Sequence, residues 1–93
     1  MELNRPTPYE VASKLSGFFS ESFGGKPSGR FRVSPKNLRH LAKRRRLSEE
    51  FVRQLAGEMF ELGFLFLDLE TFYVVTSART FSNYRRLPDS LAE

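Results

Sequence analysis

Between Ser34 and Thr76 the chain reads SPKNLRHLAKRRRLSEEFVRQLAGEMFELGFLFLDLETFYVVT, and the spacing of its start and stop signals leaves few ways to fold it. Ser34-Pro35 supplies an N-cap and a first-position proline for a helix whose Leu38, Leu41 and Ala42 mark a buried stripe. Lys43-Arg44-Arg45-Arg46 reads as its last turn. Ser48 caps a further helix, with Glu49 and Glu50 where the helix dipole favours negative charge. Phe51, Leu55, Met59 and Leu62 form its inward line, Val52, Ala56 and Phe60 widen it, and Gly63 is a left-handed stop. Only about two residues then separate the helices, so the pair must cross sharply.

After Gly63, Phe64 to Leu67 and Phe72 to Thr76 read as two strands around Asp68-Leu69-Glu70-Thr71, because β-branched and aromatic residues dominate both. Alternation does not sort their faces. Phe64, Phe66, Phe72 and Val74 compete with Leu65, Leu67, Tyr73 and Val75, so both faces of the hairpin want cover. Phe81, Tyr84 and Leu87 recur at helical spacing and predict a short C-terminal helix ended by Pro88, which is the nearest cover for the second face. Left uncovered, Leu65, Leu67, Tyr73 and Val75 with Phe81 and Tyr84 form a surface for a protein partner or a second copy.

Upstream, Thr7-Pro8-Tyr9-Glu10 has the form of a capping box, and Val11, Leu15, Phe18 and Phe19 follow on one helical face, flanked by Ala12 and Phe23. Gly24-Gly25 is expected to stop this helix and Lys26 to Gly29 to continue as a loop. Arg30-Phe31-Arg32-Val33 alternates as a short half-buried strand does. The expected class is therefore α+β in the order α-β-α-α-β-β: three helices, a short strand and a hairpin, with a short C-terminal helix. Residues 1–6 form a tail, 7–76 the domain, and 77–93 an extension packed on the hairpin or on a partner.

A chain of 93 residues can build one core with little decoration, so function falls to its surface. The charge is uneven. Lys plus Arg number 15 against 11 acids, a net +4. From Arg30 to Arg53, nine basic residues face only Glu49 and Glu50, a balance of +7 that leaves −3 for the rest. A local excess of this kind points to an anionic partner. The chain has no cysteine, which excludes disulfides and thiolate chemistry. MELNRPTPYE lacks a basic segment followed by an apolar run, and no stretch approaches the ~20 apolar residues of a membrane span. The expectation is a soluble intracellular protein, cytoplasmic or nucleoid-associated.

Leu47-Ser48-Glu49-Glu50-Phe51-Val52-Arg53-Gln54-Leu55, followed by Glu61-Leu62-Gly63-Phe64-Leu65, resembles the recognition helix of the winged helix-turn-helix superfamily and its exit into the wing. Tyr73-Val74-Val75-Thr76 looks like the closing strand, and the resemblance runs roughly from Thr7 to Thr76. It implies that the third helix enters the DNA major groove and that the hairpin loop touches backbone or minor groove. It would place Glu49, Glu50, Arg53, Gln54, Gly57 and Glu58 on the solvent face of that helix. Acidic residues there and at the wing tip, Asp68 and Glu70, disfavour close base reading.

The expected nucleic-acid-binding residues are Lys36, Arg39, Lys43, Arg44, Arg45 and Arg46 as a phosphate patch, with Arg53 and Gln54 where base edges could be read. One dipole cation would suffice for a helix end, so four in succession argue for more than capping. The reading is a DNA-binding regulator or accessory factor with backbone-dominated contacts to double-stranded DNA. The alternative is a winged-helix protein-interaction or dimerisation module. His40 is the single histidine and has no triad or ligand partner at a motif spacing, Glu49-Glu50 is explained by capping, and no phosphate loop follows a strand. No enzyme, cofactor, metal or small-molecule substrate is expected.

Overall fold

Each of the longer helices opens on a hydroxyl. The Thr7 Oγ1 accepts from the Glu10 N–H at 3.1 Å while a Glu10 carboxylate oxygen accepts from the Thr7 N–H at 2.9 Å. The Ser34 and Ser48 hydroxyls each accept at 3.0 Å from the N–H three residues on, Asn37 and Phe51. Caps of this kind contribute about 1 kcal/mol each. In the computed structural model, which describes residues 5–93, they start α1 (Pro8–Phe18), α2 (Pro35–Ala42) and α3 (Glu49–Glu61). The remaining elements are β1 (Phe31–Val33), β2 (Phe64–Asp68), β3 (Tyr73–Ser77), a 3-10 turn (Ala78–Phe81) and α4 (Asp89–Ala92). Of the expected tail at residues 1–6, the first four lie outside the described residues.

The strands form one antiparallel sheet in the order β1-β3-β2. Register decides its faces. Phe66 lies opposite Val75, Asp68 opposite Tyr73, Phe31 opposite Val75 and Val33 opposite Tyr73. Side chains paired directly across a ladder share a face, so Phe31, Val33, Phe66, Tyr73 and Val75 look inward together. They meet Val11, Ala12 and Leu15 of α1, Leu38 and Ala42 of α2, and Phe51, Leu55 and Met59 of α3 in a single core. Helices thus cover one face of the sheet, with α1 against α3 and α3 against β2.

This register corrects the expected partner surface. Tyr73 is 8% and Val75 0% exposed, and both belong to the core, while Leu65 and Leu67 share the outer face with Val74 and Thr76. An error of one residue in pairing exchanges the faces, and an all-apolar strand offers no polar residue to mark which is which.

The α2–α3 connection also differs from expectation. α2 stops at Ala42 because Lys43 adopts a left-handed conformation, φ 53° and ψ 44°. The Lys43 N–H donates to the His40 carbonyl and the Arg44 N–H to the Arg39 carbonyl at 3.1 Å, a Schellman closure. Arg44, Arg45 and Arg46 therefore lie beyond the helix instead of in its last turn, and Lys43 to Ser48 separates it from α3.

Four smaller corrections follow from local geometry. α1 ends at Phe18, and Gly24-Gly25, at φ 61° and 82°, instead makes a two-residue turn that bridges Phe23 to Lys26. Phe60 is exposed because it stands off the buried Phe51–Leu55–Met59 line of α3, and Leu62 is exposed because α3 ends at Glu61 and Gly63 (φ 93°) turns the chain away into β2. Residues 82–87 are not helical, and Pro88 precedes α4 instead of ending a helix. Tyr84 (67%), Leu87 (63%) and Leu91 (71%) are exposed, so these tail residues do not cover the hairpin; Phe81 is half-buried, set against Tyr84 edge-to-face at 5.0 Å.

Candidate nucleic-acid interface

Lys36, Arg39, His40 and Lys43 fall at i, i+3, i+4 and i+7 along α2 and its cap, which puts them on one face. The apolar positions of the same helix, Leu38 and Ala42, are buried, so this face is turned to solvent. The Schellman closure then bends Arg44 and Arg45 alongside it. These six residues line an open concavity of about 570 Å³ with no acidic side chain among them.

Within this cradle the cations are not equivalent. Lys36, Lys43 and Arg45 are exposed and Arg39 is half-buried. Arg44 forms the inner wall. Its guanidinium carbon lies 4.2 Å from the centre of the Phe51 ring, and its Nη2 donates to the Pro6 carbonyl at 3.3 Å. The Nε is buried with no hydrogen-bond partner. Burial first, and repulsion from Arg5 second, hold its pKa below the usual arginine range. Arg44 thus ties the turn to α3 and to the segment before α1. It adds positive potential to the cradle, but its side chain is engaged with protein.

Burial first, and Asp68 second, hold the Tyr73 phenol above its usual pKa, with the Arg39 charge opposing.

The other expected contacts lie elsewhere. Arg46 and Arg53 are outside the cradle lining, with Arg53 fully on the solvent side of α3. Gln54 shares a separate surface with Pro8, Gly57, Glu58 and Glu61, and its Nε2 donates to the Glu50 carboxylate at 3.2 Å. The exposed side of α3 is thus mixed to acidic, and its one amide is turned toward a neighbouring carboxylate. His40, for which the sequence offered no triad or ligand partner, joins the cradle. The signal was present in its spacing, four residues after Lys36 and three before Lys43.

Among the described residues, no three His, Cys, Asp or Glu side chains group closely enough to hold a metal ion, and no helix is long and apolar enough to cross a membrane. Compared with known proteins, the chain matches no family model, no curated protein and no solved structure.

Proposed function

We propose that this chain is a small winged-helix DNA-binding protein, a regulator or accessory factor, that holds the duplex through its phosphates. The observation that carries the reading is the acid-free basic cradle of Lys36, Arg39, His40, Lys43 and Arg45. Clustered cations on a concave face supply affinity by neutralising phosphates and releasing counterions, and that term carries no sequence information. The element order α-β-α-α-β-β and the position of β3 between β1 and β2 support the winged-helix part. The glutamates at the start of α3 and the Glu50–Gln54 contact argue for backbone contact over base reading. The test is binding to several duplexes of unrelated sequence. Lys36→Glu combined with Arg45→Glu should weaken all of them alike, and an unchanged affinity for every duplex would remove the reading.

A second reading, a protein-interaction module, is favoured by exposed apolar side chains on the hairpin and tail: Leu67, Leu69, Tyr84, Leu87 and Leu91. The radius of gyration is 15.2 Å, against about 12 Å for a compact chain of this length. That excess fits an extension packed on little of its own domain. Light scattering distinguishes the two readings: a strict monomer that binds duplex supports the first alone.

A further inference from the structure

A groove of about 410 Å³ opens beside the basic cradle, between the end of α1, the segment Glu21 to Phe23, β1 and α2. That volume lies within the ~300–1,000 Å³ of small-molecule and base-sized sites. Leu15 and Val33, both buried, line its interior. Three phenylalanines make its wall: Phe31 meets Phe18 edge-to-face at 6.3 Å and Phe23 at 5.4 Å. Core packing explains Phe18 and Phe31, which are half-buried. It does not explain Phe23, which remains 44% exposed. The two positive-φ glycines carry this ring over Phe31 through paired backbone bonds of 3.0 Å between Phe23 and Lys26.

The groove and the cradle adjoin. His40 lines both, Asn37 and Leu41 of the groove alternate along α2 with Lys36 and Arg39 of the cradle, and Arg32 and Glu21 complete the polar part of the groove. An occupant must therefore combine a flat apolar face with adjoining negative charge. A nucleotide has that combination, its base suited to the phenylalanine wall and its phosphate to the cations. Asn37 and Glu21 can bond to base edges, an amide pairing with adenine and a carboxylate accepting from an exocyclic amine. A base inside a duplex is stacked on both faces and cannot enter a concave site, so the base must be unpaired.

Resting on the nucleic-acid reading above, we infer that the groove of Phe23, Phe31 and Leu41 receives one unpaired base while the flanking phosphates lie in the Lys36–Arg45 cradle. The protein then favours a duplex that carries a single-stranded extension over a blunt one. Stacking of one base on an aromatic ring predicts a gain of about tenfold in affinity.

The experiment compares three probes with the full chain: a blunt duplex, the same duplex with a short single-stranded extension, and the same extension made abasic. The chain contains no tryptophan, so Phe23→Trp introduces a single indole reporter at the groove. The inference expects the base-bearing extension to gain about tenfold over the blunt duplex, the abasic one to lose most of that gain, and the indole fluorescence of the Phe23→Trp variant to be quenched only by the former. Phe23→Ala should abolish the gain and leave blunt-duplex affinity unchanged. Equal affinity for blunt and extended probes overturns the inference and leaves duplex binding intact, as does an equal gain from the abasic extension. Binding and quenching by the extension with no affinity for the blunt duplex keeps the base site and overturns the duplex reading. No binding to any probe overturns both.

Discussion

The Arg44 guanidinium lies 4.2 Å from the centre of the Phe51 ring, and its Nη2 reaches the Pro6 carbonyl. One side chain in a run of four cations is thereby committed to holding the turn, α3 and the chain before α1 together. Arg44→Ala is expected to destabilise the fold by about 1–2 kcal/mol, from the lost cation–π contact and hydrogen bond. Arg45→Ala should change stability by less than about 0.5 kcal/mol. Denaturant titration of the two variants checks this, and equal losses would contradict the assignment.

Core and surface positions at α3 and its end differ in the same measurement. Leu55 is fully buried, whereas Leu62 is 37% exposed. Leu55→Ala should cost about 2–5 kcal/mol and Leu62→Ala less than about 1 kcal/mol.

Alkaline pH should expose the state of Tyr73. Burial and Asp68 raise its folded pKa, with Arg39 opposing. The native state therefore keeps a proton that the unfolded chain releases. The associated stability is fully present below the ordinary tyrosine range near pH ~10 and is lost as pH rises through the raised folded value. Tyr73→Phe should flatten that alkaline decline, as read from denaturation midpoints across the range. Identical declines in the two proteins would show that the phenol is not responsible.

Reading of base sequence is expected to be weak. Gln54→Ala and Arg53→Ala should leave the ranking of different duplexes unchanged, because Gln54 is paired with Glu50 and neither residue lines the cradle. A competition assay against a pool of random duplexes measures this directly. Enrichment of one motif by the native protein and its loss in Gln54→Ala would place base readout on α3.

The helix starts were legible in the sequence because caps are local: Thr7, Ser34 and Ser48 each act within three residues. The end of α2 was not, since Lys43 takes a left-handed conformation that glycine usually signals, and that concealed how the arginine run leaves the helix. Face assignment in the hairpin failed for a different reason. Phe64 to Leu67 is apolar at every position, so only the pairing of Phe66 with Val75 tells inside from outside. Of the candidate site, the α2 cations were readable from spacing. The burial of Arg44 and the groove at Phe23 were not, because each depends on contacts with residues distant in the chain, Pro6 and Phe31 among them.

The most direct test of the central claim is duplex affinity measured as a function of salt. With Lys36, Arg39, Lys43 and Arg45 each meeting a phosphate, the plot of log affinity against log salt should fall with a slope of about −3 to −4. Lys43→Glu should make it shallower by roughly one unit. No duplex affinity at low salt, or an affinity indifferent to salt, would contradict the account.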